Sequence, residues 1–444
     1  MAKSSREAAL SVLERCRRNQ AFSDALLGSV MQTAGLNSKD SALCTRLCYG
    51  VLQNTLLCDF YIDHFASDSK KIEPKVRDIL RLSVYQILFM DKIPLHAAVS
   101  EGVELCRKSG FARACGLVNA VLRKISDNKN KLPAIPDKDI NEYLSIKYST
   151  PIGLVQKLNT EFGAEFAEGI LRANNEAAPL TIQVNTLKTT SDELIPLLEG
   201  KGIFVMPHDL LPDCFDIYGT GDIAGLEEHK TGLFYVQDAA ARLSVMAAEP
   251  KPGDTVLDAC GAPGGKSFAA AIVMNNSGKI YSNDIHENKL TRVKEGAKRL
   301  GIDIISTAVM DASKPDKSLV SSFDLVIADV PCSGLGVIRK KPDIRYKNLS
   351  EIEKLPETQL TILNGLAPCV KPGGVLLYST CTVLEQENDG VIERFLHEHE
   401  EFSAESFELP SPIGEVTNGR LSLYPHIHHT DGFFVCKLRK QNEN

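Results

Sequence analysis

Hydrophobic positions along the chain follow two periods, and the change from one to the other divides it. Up to about residue 128 the apolar residues recur at helical spacing. "VRDILRLSVYQILFM" (76 to 90) is apolar around most of its circumference, with Leu80, Val84 and Ile87 on one face, which predicts the buried central helix of a bundle. At the start, Ser4 and Glu7 are placed as a capping box ahead of Leu10 and Leu13. The stretch "SDNKNKLPAIPDKD" (126 to 139) is polar, contains proline and has no period, so it reads as a linker.

Two more helices are expected from about 140 to 175. Beyond them "LTIQVNTLK" and "IFVMPH" read as short strands around a helix at 191 to 202, a small α+β module. From about residue 233 the pattern alternates. "DTVLDAC", "GKIYSND", "DIISTAVM", "FDLVIADV" and "GGVLLYSTC" are strand-like runs separated by helices such as "ENKLTRVKEGAKRLG", whose Leu290, Val293, Ala297 and Leu300 share a face. Such alternation predicts a parallel sheet with helices on both sides. The expected organisation is multidomain: an all-α bundle at 1–128, an α+β module at 140–232 and an α/β domain of Rossmann-like type at 233–440.

A chain of 444 residues has room for such a division. No apolar stretch reaches membrane-spanning length and the N-terminus has no apolar signal region, so a soluble cytoplasmic protein without membrane contact is expected. The twelve cysteines include no CxxC pair and do not form a secreted disulfide framework. Cys44, Cys48 and Cys58, or the histidines of "HEHE" and "HIHH", have no matching second ligand pair, so no metal is expected. The net charge of −7 is unevenly distributed. Residues 1 to 128 hold 18 Lys+Arg against 13 Asp+Glu, a net of +5, leaving 32 against 44, or −12, for the remainder. Either ordinary variation between solvated helices or an anionic partner for the first domain would produce this asymmetry.

In open parallel sheets ligands bind beyond the carboxyl ends of the strands. The first α/β strand runs into "DACGAPGGKS" (258 to 267), where Gly261, Gly264 and Gly265 would let the backbone approach a ligand beside a helix N-terminus. The loop matches neither G-x-G-x-x-G nor the P-loop spacing. Asp284, Asp311 and Asp329 follow at the next three strand tips. One such acid commonly caps a helix, but three in succession fit a ligand with ribose, adenine and ammonium groups. Cys332 in "DVPCSG" and Cys381 in "YSTCT" stand at the last two tips, beside Pro331 and between Thr380 and Thr382, a setting of loops rather than core. The segment "RKKPDIRYK" (339 to 347), with five basic residues and one acid, is expected to clamp RNA phosphates.

The glycine loop with its succession of acids resembles the S-adenosylmethionine-dependent methyltransferases. "DVPCSGLGVIRKKPDIR" and "YSTCTVLEQEN" resemble the two cysteine motifs of the RNA cytosine-C5 methyltransferases, and the N-terminal helices resemble a NusB-type RNA-binding domain. The resemblance covers nearly the whole chain and extends to the bacterial 16S rRNA enzymes of that family. It implies that Cys381 is the nucleophile and that Cys332 assists product release. It further implies that Cys260, Gly261, Ala262, Pro263, Gly264, Gly265, Lys266, Asp284, Asp311 and Asp329 hold S-adenosylmethionine, with Lys266 and Asp329 also near the target base. The implied partner is 16S rRNA, bound by a monomer. Three positions depart from the family pattern: Gly261 and Val330 stand where alanine is usual, and Gln183 where an arginine is common, which bears on a phosphate contact. A DNA cytosine methyltransferase would use the Pro-Cys thiol and leave Cys381 without a task. An RNA-binding factor with a decayed domain would have no need of the intact acids and cysteines.

Overall fold

The computed structural model describes residues 4–19 and 23–442. The chain forms two compact units, Met1–Glu176 with Ile338–Lys347, and Ala177–Val337 with Asn348–Asn444.

The first unit is helical. Its opening helix, Ser5–Asn19, starts with the reciprocal cap expected from the sequence, Ser4 N donating to Glu7 Oε2 at 2.7 Å and Glu7 N to Ser4 Oγ at 3.2 Å. Helix Pro74–Phe89 is the buried centre, with Ile79, Leu80, Leu82, Val84 and Ile87 fully inaccessible. Its buried Asp78 is neutralised by Arg17 at 3.0 Å and Arg81 at 2.9 Å, and Arg81 also reaches Asp59 at 2.6 Å.

The boundary between units differs from the expected break after residue 128. Helices Ile140–Lys147, Ile152–Phe162 and Ala164–Ala173 belong to the helical unit. So does Ile338–Lys347, which contains the segment 339 to 347 expected to clamp RNA. Arg345 is 1% exposed, and its guanidinium donates to the main-chain oxygens of Gln53 (3.1 Å), Tyr148 (2.9 Å), Ser149 (3.3 Å) and Asn174 (3.2 Å). Tyr346 adds a bond from its hydroxyl to Leu52 O at 2.9 Å. Arg345 is therefore a structural tie and not a phosphate ligand.

The second unit begins with a small antiparallel sheet of β1 (Leu180–Val184), β2 (Phe204–Pro207), β3 (Cys214–Tyr218) and β4 (Phe234–Val236), in the order β2-β3-β1-β4. Gln183 lies buried in it, donating to Cys214 Sγ at 3.0 Å and Gln237 O at 3.2 Å, which removes it from any phosphate contact.

The large sheet contains β5 (Thr255–Asp258), β6 (Lys279–Ser282), β7 (Ile305–Ser306), β8 (Phe323–Asp329) and β9 (Val370–Thr380), all paired in parallel. Further strands are β10 (Phe402–Ala404), the separate hairpin β11 (Phe407–Leu409) with β12 (Gly414–Val416), β13 (Arg420–Leu423) and β14 (Phe433–Lys440). The order is β10-β14-β9-β8-β5-β6-β7, with β13 also on β14. Because β14 runs antiparallel to β9 and to β10, the sheet is mixed where a parallel one was expected.

Alternate residues of the central strands enter opposite cores. Val256, Leu325, Ile327, Val375 and Leu377 join one, whereas Leu257, Val326, Ala328, Leu376 and Tyr378 join the other. With both faces covered, polar groups of these strands can emerge only at their ends.

Candidate active site

The neighbours β8 and β9 bring the two expected thiols together. Asp329 lies opposite Ser379 in the parallel register, so Cys332, three residues further on, and Cys381, two residues further on, leave adjacent strand tips. Their sulfurs are 3.1 Å apart, and Cys381 N donates to Cys332 Sγ at 3.3 Å. The hydrogen bond with Cys381, followed by burial, raises the Cys332 thiol well above its ordinary range, so Cys332 keeps its proton in the resting pair.

Both cysteines line a cavity of about 650 Å³ at the carboxyl ends of the strands, together with Cys260, Ala262, Asp284, Asp311 and Asp329. Asp329 Oδ2 is paired with Lys266 at 2.7 Å and its Oδ1 accepts from Ser379 Oγ at 2.9 Å. Lys266 is itself nearly buried and sits 5.0 Å from the Phe433 ring centre. Asp284 Oδ1 accepts from His286 N at 2.8 Å. Asp311 lies beyond the two-residue strand β7, in a loop, where bonds from the Ser313 hydroxyl (2.6 Å) and amide (2.9 Å) hold its carboxyl below the usual range. Burial pushes the Cys260 thiol up, which leaves it unreactive.

The glycine loop packs closely against the protein around it. Its Cys260 and Ala262 line the cavity, and its glycines approach protein neighbours. A Cβ on Gly261 would fall 2.4 Å from Ser282 Oγ, and one on Gly264, which has φ +113°, would fall 2.4 Å from the Phe268 ring. The first approach holds the loop against the end of β6, and the second leaves room for a ring of the helix that Gly264 precedes, Gly265–Val273. Val330, the other departure from the family pattern, is buried and lines the cavity.

Comparison with known proteins gives this geometry a family. Residues 245–439 match the 16S rRNA methyltransferase RsmB/F family, residues 3–127 the NusB family, and residues 151–224 the ferredoxin-like domain of RsmF/B-like methyltransferases. The chain is 40% identical to the probable ribosomal RNA small subunit methyltransferase B of Bacillus subtilis, over 98% of each chain. The chain belongs to the RsmB/F family of 16S rRNA methyltransferases. It is also 31% identical to ribosomal RNA small subunit methyltransferase B of Yersinia enterocolitica, over 91% of this chain and 92% of that one. Among solved structures, that of PH0851 is similar over 98% of this chain and 99% of its own, with a TM-score of 0.81 and 28% identity. A methyltransferase homolog from Pyrococcus horikoshii covers 69% of this chain and 100% of its own, with a TM-score of 0.59 and 28% identity.

The cofactor of this RsmB/F-family enzyme is S-adenosylmethionine, and the site fits it. The cavity has the size of a small-molecule pocket, and the buried Asp258 Oδ1 has no partner within the protein. Sequence reasoning passed over Asp258 and the lining residues Ile285, Met310, Thr358 and Thr361. Ile285 carried a signal, being an apolar residue directly after the second-strand acid, and it is 57% exposed. The two threonines come from helix Leu355–Leu366, far from any cysteine motif in sequence.

Proposed function

We propose that the chain methylates C5 of a cytosine in 16S rRNA through a covalent adduct between Cys381 and C6 of the base. The observation that carries this reading is the pair of thiols 3.1 Å apart at neighbouring strand tips, beside the acids of the cavity. S-adenosylmethionine supplies an electrophilic methyl group, but cytosine C5 is a poor nucleophile. Addition of the Cys381 thiolate to C6 forms a C–S bond, moves electron density to C5 and makes it enamine-like. After methylation C5 must lose its proton and the C–S bond must break, with the electron pair returning to Cys381 sulfur.

Cys332 serves the second half of this sequence. Its proton is retained chiefly through the hydrogen bond with Cys381. Once Cys381 is a thioether that bond is weakened, so Cys332 ionises more readily at the step that needs a base. In the same reading Asp284 holds the ribose hydroxyls, Asp311 the adenine side, and Asp329 and Lys266 border the target base. The domains at 1–128 and 140–232 present rRNA, and the protein works as a cytoplasmic monomer.

Incubation of the protein with unmodified 16S rRNA and labelled cofactor, followed by nucleoside mass spectrometry, tests the proposal. The expected product is 5-methylcytidine. Label in an N4-methyl or ribose-methyl nucleoside would overturn it.

A further inference from the structure

Beneath the two thiols lies a buried polar cluster centred on Glu387, a fully inaccessible carboxylate. Its Oε2 accepts from Ser333 N at 2.8 Å and from Gln359 Nε2 at 2.9 Å, and its Oε1 accepts from Thr382 Oγ1 at 3.2 Å. Ser333 follows Cys332, and Thr382 follows Cys381. The two are also joined directly, Ser333 Oγ to Thr382 Oγ1, at 2.7 Å.

The same cluster holds the residues on the other side of each cysteine. Gln359 Nε2 donates to Pro331 O at 3.1 Å, and Thr380 Oγ1 donates to Asn388 Oδ1 at 2.6 Å. Tyr378 fixes Glu387 in turn, through a 2.5 Å bond from its hydroxyl to the Glu387 main-chain oxygen. Among the described residues the donors to the Glu387 carboxylate are neutral. A buried carboxylate without a cation is an expensive way to fill space, since an apolar residue would pack there at lower free energy. What a carboxylate can do, and an apolar residue cannot, is accept from both cysteine loops at once.

We propose that Glu387 is a positioning residue that clamps the Cys332 and Cys381 loops together and so sets the distance between the two thiols. The inference rests on the two-thiol reading of the reaction for its functional meaning, but the clamp itself can be observed without RNA. Diamide accepts two electrons and two protons from a pair of thiols, leaving a disulfide and the reduced hydrazine. The rate at which the Cys332–Cys381 linked peptide appears in mass spectra therefore reports how often the sulfurs meet.

In Glu387→Ala this rate is expected to fall roughly 10- to 100-fold, as loss of a shared buried acceptor implies. Its kcat for rRNA methylation should fall too, with cofactor affinity staying within about threefold because the cavity acids remain. Glu387→Gln should recover linkage to within about fivefold of wild type, since a carboxamide oxygen can take both N–H donors while its NH₂ donates to Thr382 Oγ1. If Glu387→Ala does not fold, Thr382→Val decides: this near-isosteric change removes the hydroxyl bonds to Glu387 and Ser333 and should slow linkage about three- to tenfold. Linkage at the wild-type rate in Glu387→Ala, or in Thr382→Val, overturns the clamp. So does a Glu387→Gln protein as impaired as Glu387→Ala. Wild-type protein that links its thiols rapidly yet forms no adduct with 5-fluorocytidine rRNA would sink the two-thiol function and leave the clamp supported.

Discussion

Arg345 in the helical unit and Glu387 in the catalytic unit are a contrasting pair. Each is a charged side chain buried almost completely, and each is held by neutral partners. The cation is ringed by main-chain acceptors from four places in its unit, and burial lowers its pKa from the usual arginine value. The anion is ringed by an amide and a hydroxyl from the loops bearing the reactive thiols and by the carboxamide of Gln359 from helix Leu355–Leu366. The difference lies in what the partners do next. Arg345 ends on carbonyls of the helical unit, none of them beside a reactive group, so its loss should appear as stability. Glu387 ends one residue from each sulfur, so its loss should appear as rate.

The largest effect expected on this comparison is at Arg345. Arg345→Ala takes the guanidinium from the oxygens of Gln53, Tyr148, Ser149 and Asn174, of which Tyr148 O keeps bonds from Thr150 and Asn175 and Ser149 O one from Tyr346, and opens a cavity, for a loss of about 3 to 5 kcal/mol. Chemical denaturation, with hydrogen exchange followed in the helices between 140 and 173, checks it. Unchanged protection there would break the contrast, by showing that the strap is held by something other than the guanidinium.

A somewhat smaller effect is expected at Asp258, a third buried charge, whose burial lifts its carboxyl to about 6 from an ordinary 3.8. As pH rises the unfolded chain loses this proton before the folded one does. Stability from this group is therefore lost between about pH 4 and 6, and the full penalty of about 3 kcal/mol is present above that window. In cofactor-free protein Asp258→Asn should be more stable than wild type at pH 8 by up to about 3 kcal/mol, with the difference vanishing below about pH 4. A difference independent of pH would mean that the carboxyl is not the source.

The smallest effect is at the cavity wall. Asp284→Ala should weaken S-adenosylmethionine by about 1.5 to 3 kcal/mol, roughly 10- to 150-fold, while leaving the fold intact. Calorimetry with unchanged affinity would remove Asp284 from the cofactor.

How much of this could be read from the sequence depends on whether a residue's partner lies near it in the pattern. The capping box at Ser4, the central helix at Pro74–Phe89 and the strands β5, β6, β8 and β9 depend on local periodicity, and all are where the spacing placed them. The meeting of Cys332 and Cys381 followed once two adjacent strands were assumed. Strand β14 was missed, because Lys437 and Arg439 make it read as solvated. Lys437 is in fact buried, paired with Glu249 and, at 3.0 Å, with Glu405. The basic segment around Arg345 failed for the same reason: a charge run shows charge but not the distant carbonyls that satisfy it. Glu387, in "LEQEN", looks like any helix-end acid until the loops after β8 and β9 close over it.

The assignment of roles to the two thiols can be tested most directly by trapping the adduct. With 5-fluorocytidine-substituted 16S rRNA and S-adenosylmethionine, fluorine at C5 blocks the proton loss that would release the enzyme. Wild-type protein and Cys332→Ala should both form a complex that survives denaturation, and Cys381→Ala should form none while binding cofactor normally. With unsubstituted rRNA, Cys332→Ala alone should accumulate such a complex. A covalent complex formed by Cys381→Ala but not by Cys332→Ala would contradict the account and reverse the two roles.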